Sequence, residues 1–226
     1  MSLVKNISRK ICEDISNKRV DELSNNLRNF VLSIFDDASK EDVIKCKYKK
    51  SGKINLIMEC KGTVKNVSVL QGRFNKRERI YDFIKYLKSI DVSNETINSI
   101  LSYHFAYCKN NVFGEELHSL YVNEIDKVRE EFNNKNKMLK VIQYIFSNRE
   151  SGREIDYFYL GDSRYGLTLS KNVFYEMLLN HTDNYHHKYM RIGVFNLLPL
   201  SRINHCDDHL KNILIIKLNL STIIKK

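Results

Sequence analysis

The sequence predicts an α/β (α+β) protein, a mixed β-sheet flanked by helices and followed by a C-terminal α/β lobe. Three observations carry that expectation. Residues 41–62, EDVIKCKYKKSGKINLIMECKG, alternate apolar and polar positions on either side of Ser51-Gly52-Lys53, as the strands of a hairpin do. The segments before and after it repeat apolar residues at three- and four-residue spacing, the period of an amphipathic helix. A second pair of strand-like runs, at Tyr157–Tyr159 and Leu167–Leu169, flanks Gly161-Asp162-Ser163 and implies more sheet.

In chain order, residues 3–17 and 19–35 read as helices. In the second, Val20, Leu23, Leu27, Phe30, Val31 and Ile34 form one apolar stripe, with Glu22 beside it. The hairpin follows, and Val64, Val67 and Val69 suggest a third strand ended by Gly72. A helix is expected over 76–90, with Ile80, Phe83, Ile84 and Leu87 facing inward. Ser93-Asn94-Glu95-Thr96 caps another that ends near His104. A long polar helix is expected over 122–148, the second hairpin over 157–169 and a helix over 171–180. Strands at 190–194 and 213–218 flank a polar loop around Pro199. Residues 1–107 are expected to form the core and residues 108–226 a second lobe.

With 226 residues, 42% of them hydrophobic, the chain can bury a substantial core. No apolar run reaches transmembrane length, and MSLVKNISRK lacks the apolar stretch of a secretory signal. A cytoplasmic protein with no membrane partner is expected. Cys12, Cys46, Cys60, Cys108 and Cys206 form no CxxC pair, and reduced thiols are the simplest reading. The net charge of +10 favours an anionic partner, nucleic acid before a membrane surface. AT-rich coding, which inflates Lys, Asn and Ile, is the compositional alternative.

Asp42 opens the first hairpin strand, and Glu59-Cys60-Lys61 closes the second. Strand alternation is expected to bring Glu59 and Lys61 out on one face, opposite Asp42. Two carboxylates beside an ammonium suit phosphodiester hydrolysis: the carboxylates hold a hard divalent cation, which activates water, and the ammonium polarises the nucleophile.

Asp42…Glu59-Cys60-Lys61 resembles the PD-(D/E)xK motif of restriction endonucleases and their relatives. The match is short and covers about the first third of the chain. The resemblance implies a restriction-endonuclease-like core and a magnesium (Mg²⁺)-dependent endodeoxyribonuclease of type II. Asp42 and Glu59 would be metal ligands, the Cys60 backbone carbonyl a third, and Glu22 a further acidic group from the preceding helix. Lys61 would orient or help deprotonate the attacking water. Double-stranded DNA, a homodimer matched to a palindrome, and a cognate DNA methyltransferase encoded nearby are the partners it implies. A second register is open. In some nuclease-like proteins a strand ending Ser-hydrophobic-Lys-x-Gly supplies the lysine, and here Ser68-Val69-Leu70 has leucine at that position and Asn55 in the aspartate's place. That register implies a degraded nuclease fold that binds nucleic acid without cutting.

Binding residues are sought on basic turns. Arg73, Asn75, Lys76, Arg77 and Arg79 lie around an expected strand-to-helix turn, and Arg153, Arg164, Lys171, Arg191 and Arg202 near turns or strand ends. Asn196, Asn204 and Asn212 have side chains suited to adenine edges, and tyrosines such as Tyr165 and Tyr189 to sugars or bases. His181, His186, His187, His205, Cys206 and His209 cluster without the spacing of common zinc sites. Walker, G-x-S-x-G and G-x-G-x-x-G motifs are absent.

Overall fold

A computed structural model describes residues 3–50, 52–110, 121–147, 153–181, 189–200 and 212–224. The chain begins with α1 (Leu3–Ile15), β1 (Lys18–Arg19), a 3₁₀ turn (Val20–Glu22) and α2 (Asn25–Leu32). Then come β2 (Val43–Tyr48), β3 (Leu56–Cys60), β4 (Thr63–Leu70) and β5 (Arg73–Arg79). Helices α3 (Ile80–Ser89), α4 (Asn94–Asn110), α5 (Val122–Phe132) and α6 (Lys135–Phe146) follow. The remainder is β6 (Tyr157–Gly161), β7 (Gly166–Ser170), α7 (Lys171–Asn180), β8 (Arg191–Ile192), β9 (Phe195–Pro199), β10 (Ile213–Asn219) and α8 (Leu220–Ile224).

Two compact units result, one of residues 1–72 with 146–176, the other of 73–145 with 177–226. This differs from the expected division at 107/108. The chain leaves the first unit after β4 and returns as β6, because β6 completes the first sheet by pairing in parallel with β4. That β4-to-β6 pairing is the sort of non-local contact that no local pattern announces.

The first unit is a mixed sheet flanked by helices. Its order is β1-β2-β3-β4-β6-β7, and every neighbouring pair is antiparallel except β4–β6. Strand alternation sends Ile44, Leu56, Met58, Val67, Val69 and Tyr159 to one buried face, against Ile11 and Ile15 of α1 and Leu27, Phe30 and Val31 of α2. On β6 the opposite parity carries Phe158, stacked on Phe174 of α7 with ring centroids 4.0 Å apart and edge-on to Phe146.

The expected helix over 19–35 is shorter than its stripe suggests. Lys18 and Arg19 pair with Ile44 and Val43, and the Val20 N–H bonds the Asp42 carbonyl at 3.1 Å, so the sheet edge claims these residues. The helix over 171–180 and the second hairpin stand where the periodicity put them.

The second unit is an antiparallel sheet, β5-β10-β9-β8, with helices against one face. Leu214, Ile216 and Leu218 of β10 and Phe195 and Leu197 of β9 are buried on the same side as Phe83 and Leu87 of α3. Three expectations are corrected here. The helix over 76–90 starts only at Ile80, because Arg73 to Arg79 pair residue by residue with Asn219 to Ile213. The helix over 122–148 is two helices, because Asn134 Oδ1 accepts the N–H groups of Asn136 (3.0 Å) and Lys137 (3.2 Å) and opens a new one. Pro199 ends strand β9 instead of centring a loop; it lies past the residues that β8 pairs, so its missing N–H leaves no β8 bond unmade. Among the described residues, no helix is long and apolar enough to cross a membrane.

Candidate functional site

The hairpin forms, but its charges divide among separate partners. β3 and β4 are joined by Lys61 and Gly62 alone, since Cys60 pairs with Thr63. Both turn residues have positive φ, 49° and 80°, the geometry of a type I′ connection. Lys61 has therefore left the strand before its side chain projects, and the expectation that it shares a strand face with Glu59 is corrected. Its Nζ lies 2.9 Å from Asp42 Oδ2 and donates to the Asp37 carbonyl at 2.8 Å. The same Asp42 oxygen accepts the Ser39 N–H at 2.6 Å and the Ser39 hydroxyl at 2.8 Å. The Lys61 bond first, then the Ser39 N–H, holds the Asp42 carboxyl down at about 2, and Asp42 in turn holds Lys61 above the ordinary lysine range.

Glu59 sits on the other parity of β3. It is the cross-strand neighbour of Lys45, and the two side chains meet at 2.9 Å. Glu22 lies in the 3₁₀ turn, not in a helix beside the site, and its carboxylate accepts the Arg19 N–H at 3.0 Å. The Cys60 thiol is buried, which pushes its pKa up. As they stand these residues do not form a Mg²⁺ donor set: Asp42 is engaged by Lys61 and Ser39, Glu59 by Lys45 and Glu22 by the Arg19 N–H. Among the described residues no group of three or more His, Cys, Asp or Glu side chains could hold a metal ion.

The second register brings its positions together without ionisable groups. Asn55 Oδ1 accepts the Val69 N–H at 2.8 Å, and the Asn55 N–H bonds the Val67 carbonyl at 2.9 Å, so its side chain serves as a link to β4. Ser68 and Leu70 are buried. A carboxylate is lacking at all three positions.

The basic segment is where geometry converges. Along β5, Arg73, Asn75, Arg77 and Arg79 are exposed while Phe74, Lys76 and Glu78 turn inward. Lys76, expected at the surface, is instead half-buried: it pairs with Glu78 at 2.6 Å and lies 4.0 Å from the Tyr144 ring centroid. Register then builds a row on the face turned away from the buried side chains, Asn75 beside Lys217 of β10 and Lys217 beside Asn196 of β9. The next row is Arg77, Ile215 and Leu198. Together with Arg73, Tyr189, Pro199 and Leu200 they line a cavity of about 590 Å³ whose described lining holds three cationic side chains and no carboxylate.

The other expected contacts scatter. Arg164 is exposed in the β6–β7 turn, 3.8 Å from Asp162, in the first unit. Arg191, on β8, pairs with Asn196 across the strands and lines a second cavity of about 370 Å³ with His181 and Met138. Arg202, Asn204, His186, His187, His205, Cys206 and His209 lie outside the described residues. Lys217 was missed by the sequence reading. Its signal is a lone charge in ILIIKLN, whose alternation sends it to the face opposite Ile216 and Leu218.

No protein-family model matches this chain, and comparison with curated proteins returns no match.

Proposed function

We propose that the protein binds nucleic acid without cutting it, using the cavity-bearing face of β5, β10 and β9 as its phosphate-binding surface. The observation that carries this reading is the alignment of Arg73, Arg77 and Lys217 on one sheet face, around a cavity whose described lining has no opposing carboxylate. Phosphate oxygens are the commonest anions for such a surface, and released counterions supply the driving force. The net charge of +10 adds long-range attraction. A restriction-endonuclease-like ancestry for the first unit is part of the proposal. Its support is the order of two helices, three antiparallel strands and a parallel fourth, β6, beside β4, with Asn55, Ser68 and Leu70 where the second register would need reactive groups.

The rival reading is the Mg²⁺-dependent type II endonuclease. One observation favours it, the 2.9 Å contact of Asp42 with Lys61, which keeps two of the three motif charges together. A homodimer on double-stranded DNA and a partner methyltransferase belong to that reading. Gel retardation at low salt and plasmid nicking in Mg²⁺ separate the two. Non-cutting binding is expected to give retardation with intact plasmid, unchanged by Lys61→Ala. Nicking in Mg²⁺ that EDTA stops, and that Asp42→Ala and Lys61→Ala abolish, would establish the endonuclease instead.

A further inference from the structure

The cavity on the second sheet has two chemically different sides. Its β5 edge is polar and cationic, with Arg73, Asn75 and Arg77 in succession. Its β9 side is apolar, with Leu198, Pro199 and Leu200, and Ile215 of β10 continues that surface beneath. Lys217 and Asn196 stand side by side where the two meet. One strand spacing separates Arg77 from Ile215 and two separate it from Leu198, about 5 and 10 Å, within the reach of one nucleotide.

A duplex phosphate backbone would use only the first side. Its bases are stacked and paired, so it brings no apolar surface to Leu198 and Ile215. An unpaired nucleotide fills both, with the strand's phosphates along the cationic edge and its base against the aliphatic side chains and Tyr189. We infer that this cavity takes one unpaired nucleotide of a single strand, base on Leu198, Ile215 and Tyr189, with Arg73, Arg77 and Lys217 each on one phosphate, its own and the two that flank it. The inference rests on the nucleic-acid-binding reading and narrows its ligand.

Asn196 supplies an independent pointer. Its Oδ1 is buried and has no hydrogen-bond partner among the described residues, although the residue lines the cavity. Such groups are rare, because an unmade bond leaves the desolvation cost unrecovered. Asn196 lines the cavity, and a base edge carries both donors and acceptors for its carboxamide.

The test uses the full chain and fluorescein-labelled 12-nucleotide probes: single-stranded DNA, single-stranded RNA, and duplex DNA of the same sequence. Fluorescence anisotropy at one fixed low salt concentration is expected to give a lower Kd for a single strand than for the duplex, and the two single-stranded arms identify the sugar. Leu198→Ser, which removes the apolar contact and leaves every cation in place, is expected to weaken single-strand binding about tenfold and so narrow its advantage over the duplex. Circular dichroism and thermal melting confirm that the variant is folded. Photo-crosslinking of a 5-iodouracil strand to the unsubstituted protein, read by peptide mass spectrometry, is expected to label Tyr189 or β9 and does not depend on any variant. Equal affinity for single strand and duplex, or crosslinks confined to the first unit, would overturn the inference while leaving nucleic-acid binding intact. Absence of binding to all three probes would overturn both.

Discussion

Lys76 and Arg77 are adjacent, both basic, and have opposite tasks. Strand parity turns Lys76 inward to Glu78 and the Tyr144 ring, and Arg77 outward to the cavity. Lys76→Ala should therefore destabilise the fold by about 2 kcal/mol, because it leaves Glu78 half-buried without its cation. Arg77→Ala should leave the urea midpoint unchanged and weaken nucleic-acid binding. Urea titration and anisotropy on the same two proteins check the contrast, and a destabilised Arg77→Ala with intact binding would reverse the assignment. Asp42 offers a pH test. Its folded pKa, about 2, lies below the ordinary 3.8, so its contribution to stability is complete above 3.8 and is lost as pH falls through about 2. Native protein and Asp42→Asn should differ in Tm above that window and converge below it. A gap that stays constant down to pH 2 would mean the Lys61 and Ser39 bonds do not hold the carboxylate. At this scale the sequence singled out Asp42, Lys61, Arg73, Asn75 and Arg77, and of the expected Asp42, Glu59 and Lys61 cluster the structure joins Asp42 to Lys61. Glu59 and Lys76 misled because parity, a one-residue matter, decides which face a charge reaches.

Elements were legible where their period was local. The first hairpin, β4, the second hairpin and α7 all follow from alternation or helical spacing. β5 was hidden because NKRERI has the composition of a helix start, and only its pairing along β10 makes it a strand. β9 was hidden by its proline and by a partner strand from Ile213 to Asn219 that lies later in the chain. The β3–β4 turn gives this scale its own test. Gly62 has φ 80° and open space where a Cβ would be, so Gly62→Ala meets no neighbour and costs about 1 kcal/mol through the backbone alone. Substitution by a D-alanine through chemical ligation should restore the native midpoint, and failure to do so would locate the cost in packing. Gly166 has a different constraint. A Cβ there would lie 2.1 Å from the Tyr159 ring, whose hydroxyl donates to the Asp162 carbonyl and accepts from Asn26. Gly166→Ala should therefore disturb the first unit's core more than Gly62→Ala does, a ranking that paired urea melts read directly.

For the whole molecule, the excess of positive charge was read from composition, and its destination was not. The chain weaves the second unit between β4 and β6 and again after α7 begins, so neither unit is a continuous stretch. Sequence position therefore could not assign Arg73 and Lys217, some 140 residues apart, to one surface, and only the β5–β10 register does so. The central claim is that this surface binds phosphate through those side chains. Its most direct measurement is the dependence of log K on log salt concentration for a single-stranded probe. With Arg73, Arg77 and Lys217 each neutralising one phosphate, the slope should be about −2, falling to about −0.7 in Arg73→Ala/Arg77→Ala. A slope near zero, or one that the double substitution leaves unchanged, would contradict the account.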